Sequence, residues 1–141
     1  MSVKVADRKL SSIQFVDTAR ELVVHTLTYA QKFPKKMMFL ITKDIVDTAR
    51  SIYKNVVIAN SIYPKSKLDY EMRYKYFIQA KGLIETLDGY LSIVKDVFKN
   101  PIEDSKVNAY AFIHWGELLD METKLIKGII ASDLQKCETL V

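Results

Sequence analysis

Residues 35–60 read KKMMFLITKDIVDTARSIYKNVVIAN. Ile41, Ile45, Ala49, Ile52, Val56 and Ala59 recur at steps of three and four residues, which gathers them on one stripe of an α-helix. Lys36, Lys43, Arg50 and Lys54 follow at steps of seven, seven and four. At about 100° per residue they fall on one line nearly opposite the stripe, and Asp44 and Asp47 are read as lying off it. The stretch therefore predicts a helix over 36–60 that buries one face and shows a cationic row on the other. Such a row suits an anionic partner.

The flanking residues predict three more helices. Phe33-Pro34 closes a first helix, because the residue before proline avoids the α region. That helix runs from a cap at Ser11 or Ser12 to about Lys32 and buries Phe15, Ala19, Leu22, Thr26, Tyr29 and Phe33. Asn60-Ser61 and Tyr63-Pro64 break the chain after the second helix. Ser66 caps a third, to about Phe98, whose stripe is Leu68, Met72, Tyr76, Ala80, Leu83, Leu87, Leu91, Val94 and Phe98. Gly82 and Gly89 inside it are expected to let a neighbouring helix approach closely. Asn100-Pro101 stops it, and Asp104 or Ser105 caps a fourth helix from about Lys106 to Ser132. Val107, Ala111, His114, Leu118, Leu125 and Ile129 face inward there, and Trp115, Leu119, Ile126 and Ile130 widen the face. So broad a face can meet a helix of another subunit as well.

With 141 residues the chain can bury a core, and four Gly with three Pro are too few turn residues for an all-β fold. The expectation is an all-α, antiparallel up-down four-helix bundle forming one domain over 1–141, with loose tails at 1–10 and 134–141.

The formal net charge is +4, unevenly spread. Residues 35–60 carry +3, whereas 100–141 carry −3, so a polyanion surface is expected early in the chain. Lys35, Lys65, Lys67, Arg73 and Lys75 cluster near the two ends of the second helix and the start of the third, where a bundle can join them to the row. The row by itself reads equally as a nucleic-acid surface, a dock for an acidic protein, or a solvated helix face. One cysteine, Cys137, fits a reducing compartment. The N-terminus lacks an apolar signal segment and no apolar run approaches the ~20 residues of a membrane span, so a cytoplasmic protein without membrane contact is expected.

No catalytic or metal-binding pattern emerges. Bundle metal sites pair Glu-x-x-His motifs, but Leu22 and Ala111 stand three residues before His25 and His114. His114 falls on the apolar stripe and reads as a core residue; His25 falls on a polar flank and reads as surface. No Gly-rich phosphate loop, Gly-x-Ser-x-Gly or Cys-x-x-Cys occurs. No catalytic residue, metal, cofactor or small-molecule substrate is expected. Tyr70 and Tyr74 share the outer face of the third helix with Lys67 and Lys81; they suit base stacking, and suit a helix or subunit interface better.

Phe33-Pro34-Lys35, the apolar stripe, and Ile58-Ala59-Asn60-Ser61-Ile62-Tyr63 resemble the four-helix-bundle family that includes the rRNA intervening-sequence proteins and the accessory variability determinant of diversity-generating retroelements. His114-Trp115-Gly116, Leu125-Ile126 and Ala131-Ser132-Asp133 resemble the final helix of the latter group. The resemblance spans about Leu22 to Asp133. It implies a homopentameric barrel with a basic exterior that binds template RNA and a reverse transcriptase and supports mutagenic cDNA synthesis without catalysing it. Lys35 lies inside the matched motif. Lys36, Lys43, Arg50 and Lys54 are placed by the helix-two match, with their role inferred from the row.

Overall fold

The computed structural model describes residues 10–97, 107 and 109–140. They are almost wholly helical. Helix α1 spans Leu10–Ala30, α2 Lys43–Ser61, α3 Lys67–Val97 and α4 Ala109–Glu138. Helix α1 packs on α2 and α4, and α3 packs on α2 and α4. The all-α expectation therefore holds. The expected loose segment up to residue 9, the stop at Asn100-Pro101, the caps at Asp104 or Ser105, and Phe98 lie outside the described residues.

The helix limits follow local chemistry. Helix α1 is described from Leu10 onward, so Ser11 and Ser12 lie within it rather than before it. Its last turn tightens as the Lys32 and Phe33 amides donate to the Tyr29 and Ala30 carbonyls. Pro34 is extended (φ −56°, ψ 141°) and carries the chain into the next turn. Ser66 caps α3 as expected: the Asp69 amide donates to its Oγ, and the Asp69 carboxylate accepts from the Lys65 amide, a reciprocal arrangement. That amide bond holds the Asp69 carboxyl below its usual range. Helix α4 runs to Glu138 instead of ending at Ser132, so most of the expected C-terminal tail is helix.

The core is lined by the stripes of all four helices. On α1, Phe15, Ala19, Leu22 and Thr26 are buried as their spacing requires, and so is Phe33 just beyond its end. On α2 and the turn before it the whole stripe, Ile41 to Ala59, is buried. On α3 the buried line shifts by one residue, to Phe77 and Ile84 in place of Tyr76 and Leu83, which are half-buried; Leu68 and Met72 are exposed. On α4 it centres on Ala111, Trp115, Leu118, Leu119 and Ile126. Gly82 and Gly89 are exposed, and no neighbouring atom lies within 4 Å of the place a methyl group would take on either, so they do not mediate close packing.

Two polar positions depart from the expected pattern. His25 is buried rather than surface, and its Nε2–H donates to the Ala111 carbonyl at 2.8 Å. Its ring lies 4.8 Å from that of His114, which is half-exposed, so the two histidines exchange their expected places. The reason is the width of the α1 face that receives α4: it takes in Thr18, His25 and Thr26, which bond to Met121, Ala111 and Trp115. Burial depresses the His25 pKa, His114 lowers it further, and the Ala111 bond opposes them. Beside it, Trp115 Nε1–H donates to Thr26 Oγ1, whose own hydroxyl donates to the Leu22 carbonyl. The second departure is Glu122. It is completely buried on α4, neither carboxyl oxygen has a hydrogen-bond partner, and burial pushes its pKa up to about 8.

Candidate nucleic-acid interface

The second helix is not one regular helix. Lys35–Met37 form a 3-10 turn and Met38–Thr42 a π-turn before α2 begins at Lys43. In the π-turn the Lys43 amide donates to the Met38 carbonyl, five residues back. Helical threonines elsewhere, such as Thr26 and Thr48, donate their hydroxyls to the carbonyl four residues back. Thr42 Oγ1, buried, has no such partner. In the same segment three consecutive apolar side chains lie outside: Met38 at 44%, Phe39 at 93% and Leu40 at 65% exposure.

This geometry edits the cationic row. A 3-10 turn winds tighter than an α-helix and a π-turn looser, so the line drawn at 100° per residue does not extend back to Lys36. The regular row is Lys43, Arg50 and Lys54, all exposed within α2. Asp47 is exposed as well, and in a regular helix it lies only about 20° from the Lys54 direction and about 40° from Lys43. It belongs to the same strip and interrupts it, contrary to the expectation that it lies off the line. Lys35 and Lys36 are exposed before α2, Lys65 is exposed in the α2–α3 connection, and Lys67 and Lys75 are exposed on the first turns of α3. Over its 19 residues α2 is about 28 Å long.

Arg73 is used differently. Its Nε donates to Asp133 Oδ2 at 2.9 Å, a second nitrogen reaches Oδ1 at 3.3 Å, and a third donates to the Ile62 carbonyl at 3.1 Å. The guanidinium also lies over the Phe77 ring, 5.3 Å from its centroid. Arg73 thus ties α3 to α4 and to the α2–α3 connection, and three of its donors are taken. Tyr70 and Tyr74 line an apolar cavity with Phe77, Ile130, Leu134 and Cys137, which fits the interface reading of these tyrosines.

In its described part, the acidic C-terminal third is less acidic on its surface than its sequence suggests. Glu122 is buried with a raised pKa, and Asp133 is paired with Arg73. On α4 the exposed Glu117, Asp120 and Glu138 are matched by exposed Lys124, Lys127 and Lys136.

Among the described residues no three His, Cys, Asp or Glu side chains gather into a metal-binding group. No helix of the described residues is long and apolar enough to cross a membrane. Compared with family models, curated proteins and solved structures, the chain matches none.

Proposed function

We propose that this protein is a non-catalytic accessory factor of a diversity-generating retroelement, working in the cytoplasm. It binds template RNA and the element's reverse transcriptase and supports mutagenic cDNA synthesis. In this reading the four helices run alternately up and down as one bundle, and the bundle forms a homopentamer. Cyclic packing of α1 on α2, α2 on α3, α3 on α4 and α4 on α1 supports the bundle. Kinship with the accessory variability determinants rests on Phe33-Pro34-Lys35 and the Ile58–Tyr63 segment.

The observation that carries the RNA assignment is the exposed strip of Lys43, Arg50 and Lys54, extended by Lys35 and Lys36 at one end and Lys65 and Lys67 at the other. Cations spaced along one helix face neutralise successive phosphates and release their counterions. The balanced charge of the α4 surface removes a source of repulsion. A pentamer multiplies the strip fivefold, which raises avidity without new contacts.

Filter binding with a single-stranded RNA tests the assignment. Affinity should fall with salt at a log–log slope of about −0.7 for each neutralised phosphate. Changing Lys36, Lys43, Arg50 and Lys54 together to Glu should abolish retention and leave the helical circular dichroism intact. Unchanged retention refutes the role of those four side chains.

A further inference from the structure

Phe39 and Tyr63 are the most exposed aromatic side chains among the described residues, at 93% and 84%. Neither contributes to the core. They stand at opposite ends of α2. Phe39 lies in the π-turn, four residues before Lys43 and within four residues of Lys35 and Lys36 in sequence; Tyr63 lies in the α2–α3 connection, within four residues of Lys65 and Lys67. Between them run Lys43, Arg50 and Lys54. Each end of the strip therefore carries a bare ring close in sequence to lysines.

We infer that the α2 strip takes single-stranded rather than duplex RNA, with Phe39 and Tyr63 as base-stacking platforms and the intervening cations holding phosphates. The inference rests on the RNA-binding reading of the strip and narrows it to one class of ligand. The chemistry is that of sequence-tolerant single-strand binding: cations track the backbone while aromatic faces receive unstacked bases. A duplex keeps its base faces covered and offers the rings nothing but its backbone. Phe39 stands on the outward side of the π-turn. The core positions Met37, Ile41 and Thr42 stay buried around it while Met38, Phe39 and Leu40 are turned outward. Charge complementarity selects a polyanion as the occupant, because the exposed residues within four positions of the two rings in sequence include five lysines: Lys35, Lys36, Lys43, Lys65 and Lys67.

The test is fluorescence anisotropy on the full chain with a labelled, non-self-complementary RNA of ~16 nucleotides, alone and annealed to its complement. Phe39→Ala and Tyr63→Ala should each weaken single-strand binding by about tenfold, within the range one lost stacking contact gives. The salt slope should stay that of the wild type, since no phosphate contact is lost, and duplex affinity should change less than about twofold. Phe39→Trp should retain single-strand affinity, whereas Phe39→Leu should behave as the alanine variant. Both side chains are exposed, so these changes leave the fold intact, checked by circular dichroism. If Phe39→Ala and Tyr63→Ala bind the single strand like the wild type while a Lys43→Glu, Arg50→Glu, Lys54→Glu triple variant loses RNA, the stacking inference is overturned and the strip stands. A wild-type chain that binds duplex and single strand equally also overturns it. A wild-type chain that binds neither removes the RNA reading and the inference together.

Discussion

Replacing Glu122 with Gln should stabilise the protein at neutral pH and remove a pH dependence. Glu122 is completely buried, unpartnered, and shifted from 4.5 to about 8 by desolvation alone. At pH 7 the unfolded chain has released this proton while the folded chain keeps it. The folded state thus binds more protons between pH 4.5 and about 8, and stability must fall as pH rises through that window and level off above it. At about 1.4 kcal/mol per pH unit, the interval from 4.5 to pH 7 costs about 3 kcal/mol. Glutamine keeps the shape and cannot ionise. Urea unfolding followed by circular dichroism, at intervals from pH 5 to 9, should give a variant-minus-wild-type difference below about 1 kcal/mol at pH 5 and about 3 kcal/mol in favour of the variant at pH 7. The depressed His25 is common to both proteins and cancels from the difference. Parallel stability curves for the two proteins, or a wild type gaining on the variant as pH rises, would refute the assignment of a neutral carboxyl in this core.

Three further outcomes follow from the packing. Arg73→Ala should cost about 2 kcal/mol in urea unfolding, since it strips Asp133 of its charged partner; in a double-mutant cycle with Asp133→Ala, most of that cost should appear as coupling. Gly82→Ala should raise stability by about 1 kcal/mol, read as a higher urea midpoint, because the added methyl meets open space. The depressed His25 pKa means that the unfolded chain takes up a proton near pH 6.5 while the folded ring resists it, so stability is lost as pH falls below 6.5; His25→Gln should flatten that acid limb of the stability curve.

The helices are legible where sequence and burial share one period. The α1 and α2 stripes sit where their spacing puts them, and Ser66 caps α3 because a hydroxyl followed three residues later by a carboxylate satisfies open amides at both ends of the turn. What is not legible has particular causes. Met37, Ile41 and Ile45 read as steps of four in an ordinary α-helix, so periodicity carries no trace of the π-turn, although it does put Phe39 about 160° from Ile41, on the outward side. Glu122 is hidden by its residue type, although it stands one turn from both Leu118 and Ile126, the position of a core residue. His25 reads as surface for the same reason, although three residues separate it from Leu22. Arg73 reads as surface charge because its partner, Asp133, is sixty residues away in sequence.

The α2 strip as an RNA surface is the central claim. Its most direct test is the salt dependence of single-stranded RNA binding by the wild type and by the variant with Lys36, Lys43, Arg50 and Lys54 changed to Glu. The expected result is wild-type binding that weakens steeply with salt, and no measurable binding by the folded variant. Equal affinity and equal salt slopes for the two proteins would contradict it.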